Sequence, residues 1–156
     1  MQNFKIWLLI FVATLLAYGS SLRYGFSQDD WYFLLISRVS NFGDVLNFFN
    51  PASQSGFAFF RPLGTQLYYY LFQDKSVAMH VFMLLVQSLN GFLVMRLVER
   101  LKVKSPVPVM VGVLYAISSV HFLSLYYIAA TQQLLAASFS LLSLIFFLER
   151  KYRISA

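Results

Sequence analysis

Four long apolar runs, almost free of charge in their interiors, leave this chain few ways to fold. They extend from about Ile6 to Leu22, Ala78 to Val98, Pro106 to Leu123 and Ile128 to Leu148. A helix rising about 1.5 Å per residue needs about 20 such residues to cross a hydrocarbon core about 30 Å thick. Inside lipid the backbone has no water to bond, so an apolar run of this length closes its hydrogen bonds within itself as a helix. The expected fold is all-α: a multi-span transmembrane helical bundle of about four spans, forming one transmembrane module over residues 1–156. Composition agrees, with 59% hydrophobic and 12% charged residues, against about 25% charged in a soluble domain.

The net charge of +6 is better read by position than by sum. The basic residues gather at the ends of the apolar runs, a membrane-topology pattern that requires no nucleic-acid partner. Cysteine is absent, which excludes a disulfide framework and a thiolate metal site. Met1 to Tyr18 has signal-peptide features, with Lys5 ahead of an apolar run and small residues at Ala17, Gly19 and Ser20. Three further runs follow, so it reads as an uncleaved first anchor. Pro106 and Pro108 mark the start of the third span, where a missing backbone N–H costs little.

Between the first two spans, Arg23 to Val77 is aromatic but broken by Asn, Asp, Ser, Gly and Pro, too polar to cross. Trp31 to Val39 and Asp44 to Phe49 read as short helices, and Leu63 to Phe72 as an interfacial helix. With a cytoplasmic N-terminus, the inner face carries Lys5, Arg96, Arg100, Lys102, Lys104, Arg150, Lys151 and Arg153. The outer face carries Arg23, Arg38, Arg61 and Lys75. This bias predicts cytoplasmic N- and C-termini and an extracytoplasmic long loop, at about residues 23–77. The expected location is a bacterial or archaeal plasma membrane, crossed several times.

The loop is the expected seat of function. Asp29 and Asp30 form an acidic doublet just beyond the first span. Two carboxylates so placed suit a general base, because crowding of like charges raises one pKa, or a divalent cation such as Mg or Mn. The competing reading is helix capping, with Ser27 or Asp29 accepting from the first turn of the Trp31 helix. Arg61, after the aromatic run Phe57 to Phe60, suits either a bidentate grip on a phosphate or an interfacial anchor. His80 and His121 fall at the outer ends of the second and third spans, able to reach a phosphate or a sugar hydroxyl, or to bond between helices. Gln87, Asn90, Gln132 and Gln133 read as helix-joining amides, the last two also as candidate pocket lining. Tyr68, Tyr69 and Tyr70 read as an aromatic belt. No phosphate-cradling Gly-rich loop and no Ser-His-Asp arrangement is present in the sequence.

Taken in order, these features resemble the N-terminal part of the GT-C superfamily of membrane glycosyltransferases. The resemblance is carried by Asp29-Asp30 in a large first external loop, and by Phe60-Arg61-Pro62-Leu63 followed by Leu67-Tyr68-Tyr69-Tyr70. It continues in the histidine-led second span from His80 to Asn90, and in Val120-His121-Phe122 through Gln132-Gln133-Leu134-Leu135-Ala136-Ala137. The chain departs from the family where Ser118 replaces a histidine, and where Leu123 and Gln133 stand at positions commonly acidic. The resemblance implies a polyprenyl-phosphate-linked sugar as donor and a glycan, lipid or protein as acceptor. It also implies Asp29 or Asp30 as base or metal ligand, and Arg61 with His80 or His121 at the carrier phosphate. The four spans would then be the front part of a larger enzyme. A non-catalytic integral membrane subunit or scaffold is the rival expectation. A transporter is a third, disfavoured because charge is nearly missing from the span interiors.

Overall fold

The computed structural model describes residues 2–52 and 61–154, and it is helical. Helix α1, Gln2–Tyr18, continues into a tighter turn at Gly19–Arg23. The segment that follows holds α2 (Asp30–Ile36), α3 (Phe42–Asn47) and α4 (Tyr68–Phe72). Then come α5 (Ser76–Arg100), α6 (Val107–Ala116), α7 (Phe122–Tyr126) and α8 (Thr131–Ile154). Four stretches are long and apolar enough to cross a membrane: Gln2–Arg23, Ser76–Arg100, Val107–Tyr126 and Ile128–Arg150. The protein is an all-α, multi-pass bundle whose solvent is the lipid bilayer.

The third span differs from the continuous helix expected of it. Helix α6 stops at Ala116, and a short turn at Ser119–His121 precedes α7. Such a break frees backbone carbonyls, which need new donors in an apolar setting. Tyr18 provides one: its hydroxyl donates to the carbonyls of Ile117 at 3.2 Å and Ser118 at 2.5 Å.

Helix α5 is the hub, packed against α1, α6 and α8. Its 25 residues span about 37 Å at 1.5 Å per residue, enough for the hydrocarbon core. Between apolar helices in lipid there is little hydrophobic gain, so association depends on close packing and interhelical hydrogen bonds. Both are present. A Cβ added at Gly112 would lie 2.7 Å from the Gly91 carbonyl oxygen, so α5 and α6 touch backbone to backbone there. Gln87 donates to the Ala116 carbonyl at 3.2 Å, joining α5 to α6. Asn90 donates to the Leu134 carbonyl at 2.9 Å and accepts from Ser138 at 2.6 Å, joining α5 to α8. These amides therefore bridge helices as their sequence positions suggest. At the basic end of the bundle, Arg100 and Glu149 form an interhelical ion pair at 2.5 Å.

At the opposite end the long segment folds back onto the bundle. Helix α3 begins with a complete capping box: Asn41 accepts from the Asp44 amide at 3.0 Å, and Asp44 accepts from the Asn41 amide at 3.3 Å. The stretch Leu63–Phe72 is helical, as expected, and one face of it packs into the protein while Leu63 and Leu71 stay exposed. Gly64, Thr65, Gln66, Tyr68 and Tyr69 are buried. The turn before α4 is widened, with the Leu67 amide bonding the Pro62 carbonyl five residues back. The cause of its burial is Gly64, where a Cβ would fall 2.6 Å from Cβ of Gln132. Lacking that atom, the segment seats directly on the start of α8.

The expected aromatic belt changes role for the same reason. Tyr68 and Tyr69 belong to the core with Phe33, Met79, Met83, Leu125 and Ile128, and only Tyr70 keeps partial exposure. The Tyr68 hydroxyl donates to the Met79 carbonyl at 2.8 Å, so both ends of this side chain are satisfied inside the protein.

Candidate functional site

The acidic doublet divides into two unlike residues. Asp29 is exposed, whereas Asp30 has no accessible surface. A buried carboxylate is costly unless hydrogen bonds replace its hydration. Here they do. Oδ1 accepts from the Tyr69 hydroxyl at 2.5 Å and from the Ala129 amide at 2.9 Å. Oδ2 accepts from the Ser27 amide at 2.8 Å and the Ser27 hydroxyl at 3.4 Å. Asp30 thus ties the start of α2 to α4 and to the turn entering α8.

Capping at this helix is done differently from the sequence expectation. Neither the Ser27 nor the Asp29 side chain accepts from the first turn; their backbone carbonyls do so instead, from the Asp30 and Phe33 amides at 2.9 Å each. It is Asp30, in the first turn itself, that reaches back to the Ser27 backbone. That carboxylate also sits at the positive end of a short helix, a favourable place for negative charge.

The phenol of Tyr69 is held well above the ordinary tyrosine value, first by burial and then by its hydrogen bond to Asp30. A phenol raised this way stays protonated and remains a donor at any working pH. Burial also raises Tyr68. Tyr127, between the third and fourth spans, is raised by burial first and next by Asp29, whose carboxylate lies beside it. Asp29 therefore projects at the mouth of the bundle with one face toward a phenol and the other toward solvent.

The remaining candidates share this end of the molecule but differ in access. Arg61 is exposed at the edge of the Leu63–Phe72 stretch, and its carbonyl accepts from the Thr65 amide at 2.9 Å. The preceding run Phe57 to Phe60 lies outside the described residues. His80 is fully buried, with Nδ1 3.2 Å from the Leu125 carbonyl, so it fastens α5 to α7 and presents nothing to solvent. His121 is half-buried, its ring 4.6 Å from that of Tyr115. Gln133 is exposed and accepts from the Ser124 hydroxyl at 2.6 Å. Gln132 backs Gly64, and its amide oxygen is buried without a partner among the described residues, like the hydroxyl of Thr65. Buried polar atoms without partners mark where water or a substrate group would be taken up.

For a divalent cation the described residues offer few ligands. Among the described residues, no three His, Asp or Glu side chains gather into a ligand set. Both Asp30 oxygens already accept hydrogen bonds from protein donors, which leaves Asp29 as a single carboxylate. Hard cations take six or more oxygen ligands, so one held here would rely on water and substrate phosphate oxygens for the rest.

The roles of Tyr69 and Ala129 are not visible in the linear motif, since they reach Asp30 across 39 and 99 residues. The Ser27-x-x-Asp30 spacing was the one local sign that Asp30 would turn inward. No protein-family model, curated protein or solved structure matches this chain.

Proposed function

We propose that this chain supplies the acceptor-activating part of a membrane glycosyltransferase of the kind its sequence resembles. The enzyme would transfer a sugar from a polyprenyl-phosphate donor to an acceptor hydroxyl on the extracytoplasmic face. The observation that carries this reading is the asymmetry of the doublet: one carboxylate buried and locked in place, its neighbour exposed beyond the end of an apolar span. Asp29 is the base. It takes the proton of the acceptor hydroxyl as that oxygen bonds to the anomeric carbon, and the carbon–oxygen bond to the carrier breaks with its electron pair leaving on the phosphate. General-base catalysis by a positioned carboxylate contributes about 10²–10⁴-fold.

Asp30 is a positioning residue in this scheme, since its hydrogen bonds fix the backbone on which Asp29 sits. Arg61, also exposed, would meet the carrier phosphate with a planar, bidentate donor. His80 is too enclosed for that role, and His121 meets an aromatic ring. Orientation follows the charge bias, with the basic end facing the cytoplasm.

The test is transfer of labelled sugar from a polyprenyl-phosphate sugar by chain reconstituted in lipid. Asp29→Asn is expected to lose at least about a hundredfold in rate with its helix content unchanged. Equal rates for wild type and Asp29→Asn would remove the base. The full set of hydrogen bonds on Asp30 also favours a second reading, a non-catalytic membrane subunit whose external segment is a fixed docking platform. On that reading Asp29→Asn has no effect on any function, while Asp30→Asn does.

A further inference from the structure

Between α2 and α4 the segment joining the first two spans forms an open cavity of about 740 Å³. Pockets for small ligands span about 300–1,000 Å³, so this one is large enough for one or two sugar rings. It lies outside the four spans, and Trp31 in its wall is two residues from Asp29. Its walls are Trp31, Leu34 and Leu35 on one side and Tyr69 and Tyr70 on the other. Arg38, Gln73 and Asp74 supply its polar groups. Among the described residues neither Arg38 nor Asp74 is in an ion pair.

This mixture selects among ligand classes. A purely apolar tail would strand a guanidinium and a carboxylate against it, at the cost of removing each from water. A simple anion would meet Arg38 but also Asp74. A neutral, polyhydroxylated ring satisfies both, since its hydroxyls donate to Asp74 and accept from Arg38 and the Gln73 amide, while its C–H faces cover aromatic rings. Trp31 is well suited to stack on such a face, being 62% exposed and oriented by edge contact with Phe26 at 5.5 Å. The cavity is also mechanically joined to the doublet. The Tyr69 ring lines it while the Tyr69 hydroxyl holds Asp30, and Trp31 directly follows Asp30 in the chain.

We infer that the α2–α4 cavity is a carbohydrate site that seats a neutral sugar through Trp31, Arg38 and Asp74. That this sugar belongs to the acceptor rests on the proposed function, and the binding itself is tested separately.

The 156-residue chain carrying Trp7→Phe has Trp31 as its single tryptophan. Its fluorescence is followed in lipid nanodiscs during titration with the methyl glycosides of glucose, galactose, mannose and N-acetylglucosamine, and with octyl phosphate as an anionic amphiphile. The expected result is a saturable change with at least one glycoside. Arg38→Gln and Asp74→Asn should each weaken it about tenfold or more, the loss typical of a hydrogen bond to a charged group. A diazirine-bearing methyl glycoside provides a second readout on the unaltered chain, with crosslinks expected within Trp31–Val39 or Tyr69–Asp74. Response to octyl phosphate alone, absence of any glycoside response, or crosslinks confined to other segments would overturn the inference. Glycoside binding without transfer activity would uphold the site and remove the proposed function. Transfer activity with an empty cavity would do the reverse.

Discussion

Replacing Asp30 with Asn tests the physical heart of the site, because it keeps the shape of the side chain and removes its charge. The Asn oxygen still accepts from Tyr69 and Ala129, but as a neutral acceptor. Its amide nitrogen must then face the Ser27 N–H, a donor against a donor where the native distance is 2.8 Å. Hydrogen bonds to a charged group contribute about 1.5–3 kcal/mol, against about 1 kcal/mol for neutral pairs. Weakening two of them, and losing the partly exposed third to solvent, costs about 2–3 kcal/mol. That corresponds to a roughly 30- to 160-fold increase in the open population of the segment. Asp30→Ala is worse, at about 3–5 kcal/mol, since it leaves the Tyr69 hydroxyl and the Ala129 amide buried without their acceptor. Asp29→Asn, at an exposed position without a cap bond, should stay within about 0.5 kcal/mol of wild type. The assay is hydrogen exchange followed by mass spectrometry on protein in nanodiscs, reading peptides that contain Ala129 and Ser27. Unchanged exchange at Ala129 in Asp30→Asn, or equal acceleration in Asp29→Asn, would mean that the Asp30 charge is not what holds the segment down.

Other changes follow from the same contacts. Tyr69→Phe should destabilise docking of the external segment by about 1.5–3 kcal/mol. It should also flatten the alkaline side of the melting profile. A phenol raised in the folded state gives full stability below its unfolded value of 10.0 and loses it as pH climbs above that, and thermal scans across that range would show whether the slope depends on Tyr69. Gly64→Ala should lift Leu63–Phe72 from α8, because its Cβ would meet Gln132 at 2.6 Å; overpacking of this kind costs about 1–3 kcal/mol, and faster exchange from Thr65 to Tyr69 would reveal it. Asn90→Leu should weaken the α5–α8 contact by about 0.6–2 kcal/mol, visible as a lower midpoint for unfolding in detergent, and an unchanged midpoint would count against that bridge.

The spans were legible because a period-free apolar run of the required length has only one solution in lipid. Helix α5 and the fourth span fall where the sequence placed them, within a few residues. The third span was harder, since the break near Ser118 has no Gly or Pro to announce it, and it is stabilised by Tyr18 from a different helix. In the external segment, composition misled. The row Tyr68 to Tyr70 has the look of a membrane-surface belt, yet burial there depends on a single missing Cβ at Gly64 and on the geometry of α8. The doublet was visible as chemistry but not as geometry. Two neighbouring carboxylates on a helix start point in different directions, and which one turns inward was decided by donors remote in sequence. His80 shows the same limit: its place near the start of the second span was readable, while its enclosure against Leu125 was not.

Because the chain has no cysteine, single cysteines report on each position without background. Asp29→Cys and Thr65→Cys, expressed in intact cells and treated with a membrane-impermeant maleimide, test burial and sidedness together. The structure and the charge bias predict that position 29 labels from outside the cell while position 65, fully buried, does not. Labelling of position 29 only after the cytoplasm is opened, or ready labelling of position 65, would contradict both the orientation and the packing of the external segment.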